Sequence, residues 1–105
     1  MSRFVPQPGE TVLFEKLADI GQGLAYAKGK VVLTNRRLLL QPGRLNIDPT
    51  PSEIALADVT GVEPFNHLGF IPWGIRLRLL DGSEQKLRLM SRDWAVAAIR
   101  KAAGL

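Results

Sequence analysis

Gly29-Lys-Val-Val-Leu-Thr-Asn-Arg-Arg-Leu-Leu-Leu-Gln-Pro-Gly43 reads as two short strands joined by a tight turn at Asn35-Arg36. Asparagine tolerates the positive φ that two-residue hairpin turns demand; arginine at the second position is less favourable, so a longer loop stays open. Pairing across the turn sets Leu33 against Leu38, Val32 against Leu39 and Val31 against Leu40. Side chains alternate along a strand, so Val31, Leu33, Leu38 and Leu40 share one face, expected to be core. The other face carries Lys30, Val32, Thr34, Arg37 and Leu39. Either something covers Val32 and Leu39, or they belong to a contact surface.

Upstream, Pro6, Pro8 and Gly9 mark an irregular lead over residues 1–8. Glu10 to Leu17 reads as a strand and Ala18 to Gly23 as a loop. A second strand runs from near Leu24 into Lys28, with Gly29 as a bulge or bend that lets one strand serve two sheets. Downstream, Arg44 to Ser52 contains Pro49 and Pro51 and reads as a loop. Glu53 to Ala57 is a short strand with Ile54 and Leu56 inward, and Val59 to Phe65 another around Gly61. Asn66 to Gly74 is apolar yet punctuated like a loop.

The last hairpin is decided by parity. Trp73 to Leu80 and Glu84 to Met90 are its strands. A two-residue Asp81-Gly82 loop would set Leu77 opposite Lys86, mixing core and solvent residues on one face. A three-residue loop, Leu80-Asp81-Gly82, instead sets Ile75 opposite Leu87, Arg76 opposite Lys86 and Arg78 opposite Glu84, with Gly82 left-handed. The chain then ends in a helix: Ser91 is the expected N-cap, Asp93 lies in the first turn, and Trp94 is the expected core anchor. Arg100 and Lys101 fall in the last turn before Gly104. The pattern is mostly β, about seven antiparallel strands followed by one C-terminal helix.

Composition bounds the chemistry. A chain of 105 residues suits a single domain. It has no cysteine and one histidine, His67. Thiol catalysis, disulfides and a multi-histidine metal centre are therefore excluded, and the reducing cytoplasm is the expected location. The net charge of +4 is dispersed, without a basic tail. No apolar run approaches the roughly 20 residues that span a bilayer. No phosphate loop with a lysine, nucleophile motif or ordered carboxylate pair is present, so neither catalysis nor a cofactor is expected.

Several short signals occur together: Pro8-Gly9-Glu10 before the first strand, the Leu-Thr-Asn-Arg-Arg-Leu turn of Leu33 to Leu38, and Ile54-Ala-Leu-Ala-Asp-Val59. Asp81-Gly82 and Trp94 complete the set. In combination the chain resembles a GRAM-type, pleckstrin-homology-like domain of the small bacterial kind, from Pro8 to Gly104. That resemblance implies a split barrel of two near-orthogonal antiparallel sheets capped by the helix, and no catalysis. Many members of the wider family bind phosphoinositides or other anionic lipids, and others bind proteins. Lipid-binding members usually hold the headgroup with basic residues around the first hairpin loop. Here that loop reads Ala18 to Gly23, with one acid and no base; Lys16 and Lys28 flank it.

Three places are candidates for contact. The final hairpin puts Arg76, Arg78, Lys86 and Arg88 on one side, with Glu63 and Glu84 as neutralising neighbours. Lys28, Lys30, Arg36 and Arg37 surround the first-quoted hairpin, where guanidinium forks suit phosphate. Leu68, Phe70, Ile71 and Trp73 form an apolar loop. Exposed, it would enter a membrane interface or dock on a partner; folded back, it would cap the barrel, which is the favoured expectation. The expected function is peripheral association with anionic phospholipid, with a protein-interaction or oligomerisation adaptor as the alternative. Nucleic acid is disfavoured, because aromatic residues do not interleave with basic ones on any one strand.

Overall fold

A computed structural model describes residues 5–23, 25–43 and 50–105. Expectations for residues 1–4, Leu24 and the loop segment 44–49 lie outside these residues. The elements are β1 (Val12–Gln22), β2 (Ala25–Thr34), β3 (Arg37–Pro42), β4 (Ser52–Ala55), a 3-10 turn (Leu56–Asp58), β5 (Val59–His67), β6 (Ile71–Leu79), β7 (Glu84–Arg88) and α1 (Arg92–Ala102). The strands are antiparallel in the order β4-β3-β2-β1-β7-β6-β5. Among the described residues no helix is long and apolar enough to cross a membrane.

β1 joins the two halves of this ladder. It pairs with β2 from Val12↔Thr34 to Gln22↔Ala25, but with β7 only at Asp19↔Arg88 and Ile20↔Leu87. Its N-terminal half therefore parts from β7 and opens the sheet into a β1–β4 half and a β5–β7 half. The strand continues through Ala18 to Gln22, which the sequence reading assigns to a loop. Ala18 and Ile20 are buried in the core beside Phe14, and this period-two burial carries the strand past Gly21. The β1–β2 turn is thus displaced toward Gly23, and Lys16 and Lys28 do not flank it.

The quoted hairpin has the expected register, Leu33↔Leu38, Val32↔Leu39 and Val31↔Leu40. Its turn is made differently. Asn35 and Arg36 have no positive φ. Instead the Thr34 hydroxyl accepts from the Arg36 and Arg37 backbone N–H groups at 3.1 and 3.0 Å, a side-chain substitute for backbone turn bonds. Asn35 faces the lead: its Oδ1 accepts from Thr11 N–H and its Nδ2 donates to Gly9 O. Apolar residues on both hairpin faces are buried. Val31, Leu33, Leu38 and Leu40 enter the main core, and Val32, Leu39 and Thr34 are also at most 9% exposed. Of the two alternatives for Val32 and Leu39, the structure has the covered one.

The final hairpin has the three-residue loop that parity demands. Ile75↔Leu87, Arg76↔Lys86 and Arg78↔Glu84 pair, Leu79 N–H donates to Ser83 O at 2.9 Å, and Gly82 sits at φ 88°. Gly29 fits because its missing Cβ would lie 2.3 Å from Gln41 O.

Three local expectations are corrected. β4 is shorter than Glu53 to Ala57, because Leu56 turns into the core in the 3-10 turn. Ser91 lies in the left-handed region, φ 59°, and makes no side-chain cap bond. Trp94 is not the anchor of α1. It is 54% exposed, with its ring tilted on Phe14 at 5.3 Å and Lys16 Nζ 5.1 Å from it. Ala95, Val96 and Ile99 do the burying, so the small face lets the helix approach the sheet closely. The helix ends as expected. Leu105 N–H donates to Arg100 O and Gly104 N–H to Lys101 O, with Gly104 at φ 75°.

Candidate functional site

The basic side of β6 and β7 exists, but it is largely balanced. Arg78 Nε donates to Glu63 Oε1 at 2.6 Å, which raises its pKa further, and Arg78 Nη1 lies 3.9 Å from Glu84. Arg76 Nε is 3.7 Å from Glu84, and Arg88 Nη2 donates to Asp19 at 3.0 Å. Lys86 has no carboxylate partner among the described residues.

Aromatic rings interleave with these cations across strands, which no single strand's sequence displays. The Arg76 guanidinium carbon and Lys86 Nζ lie 5.3 and 5.7 Å from the Phe65 ring centre, and that of Arg88 lies 3.9 Å from Tyr26. Arg76 Nε and Arg88 Nε are buried without hydrogen-bond partners. Stacking on π faces gives a physical account of this, because a ring face substitutes weakly for an acceptor. Gly74 makes room for Phe65: a Cβ there would be 2.6 Å from the ring. His67 is a hydrogen-bonding residue, its Nε2 2.8 Å from Arg88 Nη1.

Around the quoted hairpin the cations have separate fates. Arg37 is consumed by the fold. It pairs with Glu10 and Glu53 and donates to Val5 O. Glu10 also accepts from Gln7 N–H and the Thr34 hydroxyl. The Arg37 bond leads in holding the Glu10 carboxyl down at about 2. Lys30 pairs with Glu15 at an exposed site, Lys28 is exposed opposite Asp19, and Arg36 is exposed beside Gly9.

The apolar segment does not fold back as a barrel cap. β5 and β6 continue toward each other and turn at Leu68-Gly69-Phe70. Gly69 N–H donates to Asn66 O and Phe70 N–H to His67 O. Leu68 and Gly69 both have positive φ, 55° and 82°. Leu68 is 72% and Phe70 73% exposed, Trp73 is 45% exposed, and Ile71 is half-buried. Extension of the hairpin buries the strand stems and leaves the side chains of Leu68 and Phe70 exposed at its tip.

Beside Trp73, a cleft of about 820 Å³ opens where β1 parts from β7. Trp73, Leu89, Met90 and Leu17 supply apolar walls, and Lys28, Lys30, Arg88 and Asp19 the charged ones. The sequence has no contiguous signal for it, because its walls come from separate strands. Two arginine contacts also lie beyond the sequence reading, which places Arg100 only in the last turn of the helix. Arg100 Nε donates to Val62 O and Arg92 Nη1 to Phe65 O, both at 2.9 Å, so the helix satisfies carbonyls of the edge strand β5. No metal-binding group of three or more acidic or histidine residues occurs among the described residues.

Similar backbones are found among solved structures. The C-terminal domain of an unknown protein from Leishmania infantum superposes with a TM-score of 0.79 at 17% identity, over 93% of this chain and 88% of that one. The Vps36 N-terminal PH domain gives 0.74 at 17% identity, over 95% and 83%. The linker-DH/PH domains of p115-RhoGEF give 0.68 at 13% identity, over 90% of this chain and 29% of that one. The fold is pleckstrin-homology-like. No protein-family model and no curated protein matches the sequence. At these identities the likeness is one of fold.

Proposed function

We propose that this pleckstrin-homology-like chain is a noncatalytic module of the GRAM type that associates peripherally with anionic phospholipid at a cytoplasmic membrane face. The observation that carries this reading is Leu68. A leucine at φ 55° is strained by about 1–2 kcal/mol relative to ordinary backbone, a position where asparagine or glycine would be at ease. Its backbone supplies the first positive φ of the His67–Phe70 turn, but its side chain is exposed and packs into no part of the core. Strain retained at an exposed apolar side chain points to a use outside the fold.

Burial of Leu68 and Phe70 in a membrane interface would contribute roughly 3–6 kcal/mol before ordering costs. Cations near an anionic surface add about 1 kcal/mol each, and Lys86, Lys28 and Lys30 are exposed or partly exposed. The sum describes weak, reversible, headgroup-dependent association. Arg76, Arg78 and Arg88 contribute less, because Glu63, Glu84 and Asp19 already balance them.

Vesicle sedimentation tests the proposal. Binding to anionic vesicles, weaker binding to neutral ones and loss with rising salt are expected. Equal binding to both, or binding to neither, overturns it. The adaptor alternative draws on the same exposed side chains and would instead give concentration-dependent self-association in light scattering.

A further inference from the structure

We infer that the cleft between β1 and β7 takes one anionic amphiphile, with its acyl chain against Trp73, Leu89 and Met90 and its phosphate toward Lys28 and Lys30. The inference rests on the membrane reading above and names what the site would extract from that surface. Three observations carry it. At about 820 Å³ the cleft has the size of a small-molecule site. Among the described residues lining it, Arg88 pairs with Asp19, and Lys28 and Lys30 stand at the rim where an anion would approach. Trp73 belongs both to the cleft and to the base of the exposed hairpin, so the apolar wall continues from the proposed membrane contact.

The walls suit a chain rather than a polar ligand. Leu17 and Met90 are 83% and 70% exposed, an unfavourable state for large apolar side chains flanking one opening. An acyl chain covers them without leaving any polar group to satisfy. At the rim, Lys30 is held only by an exposed pair with Glu15, worth about 0–1 kcal/mol, so exchange of that carboxylate for a phosphate costs little. The proposal is one of binding alone, with no bond made or broken.

The test uses a water-soluble short-chain phosphatidylglycerol below its micelle concentration and the whole chain. Nuclear magnetic resonance shifts, and Trp73 fluorescence in a Trp94→Phe background, report on the cleft without any bilayer. Saturable shifts at Gly29, Leu89 and the Trp73 indole are expected, with the phosphatidylcholine of equal chain length binding at least about tenfold more weakly. Leu17→Asp and Met90→Asp alter exposed side chains and put a carboxylate in the anion's path, so each should weaken the soluble lipid about tenfold or more. Leu68→Asn with Phe70→Ser should leave soluble-lipid binding unchanged while removing vesicle binding. Absence of shifts in the cleft overturns the inference, as does equal binding of the two headgroups or saturation by an acidic apolar peptide alone. Vesicle binding that persists without cleft shifts contradicts the cleft but leaves the membrane reading standing. Loss of both contradicts both.

Discussion

Arg37 and Glu10, 27 residues apart, form a two-pronged pair: Nε to Oε2 at 2.8 Å and Nη2 to Oε1 at 2.9 Å. Arg37 also reaches Glu53 and Val5 O, so one guanidinium ties the N-terminal lead to the quoted hairpin and to β4. The folded pKa of Glu10 is lowered from 4.5 to about 2, first by its Arg37 bond. A depressed carboxylate contributes stability that is complete above its unfolded value and is lost as pH falls through its folded one. Wild-type stability is therefore expected to fall between about pH 4.5 and 2, and Glu10→Gln should be less stable at neutral pH and flatter over that window. Denaturant titrations at several pH values check this; parallel slopes for the two proteins would contradict it.

Gly29 and Gly74 separate two kinds of close approach. A Cβ at Gly29 meets backbone, Gln41 O at 2.3 Å and Pro42 Cα at 2.8 Å, whereas one at Gly74 meets the Phe65 ring at 2.6 Å. Backbone in a ladder cannot step aside, but a ring can rotate away. Gly29→Ala should cost more than the roughly 1–3 kcal/mol typical of overpacking, and Gly74→Ala should fall within that range. Urea unfolding of both variants measures the order.

Trp94→Ala should cost about 1 kcal/mol, the worth of a partly exposed aromatic pair. Leu33→Ala should cost about 2–5 kcal/mol, because Leu33 is fully buried. Thermal unfolding of the two variants decides; equal losses would restore Trp94 to the core.

Lys86 opposite Arg76 offers a test of use against stability. Like charges facing each other across strands are unfavourable, and opposite charges are worth roughly 0.2–1 kcal/mol. Lys86→Glu should therefore stabilise the fold slightly and weaken binding to anionic vesicles. Weaker folding together with unchanged binding would show that Lys86 serves the sheet alone.

The β ladder was legible where parity constrained it. Leu33↔Leu38 follows from two turn residues at Asn35-Arg36, and the loop of Leu80 to Gly82 follows because a slip by one residue would bury Arg76 or Lys86. β1 was legible only in part. Gly21 and Gly23 look like loop residues locally, and burial of Ala18 and Ile20 from other strands overrides that. Trp94 misled because helical spacing gives a face but not which edge of it meets the sheet. The Phe65, Arg76 and Tyr26, Arg88 stacks join residues of different strands, so only the register assembles them. The hairpin tip was legible as apolar; its exposure depended on how far β5 and β6 extend.

The central claim is that the β5–β6 tip is kept for a membrane and not for the fold. Its most direct test is a paired measurement on Leu68→Asn: urea stability and sedimentation with anionic vesicles. Asparagine accepts the left-handed conformation, so the variant should match or exceed wild-type stability by up to about 1 kcal/mol. Its vesicle binding should fall at least about fivefold, the cost of withdrawing one leucine from the interface. A variant that is less stable than wild type yet binds vesicles equally well would contradict the claim.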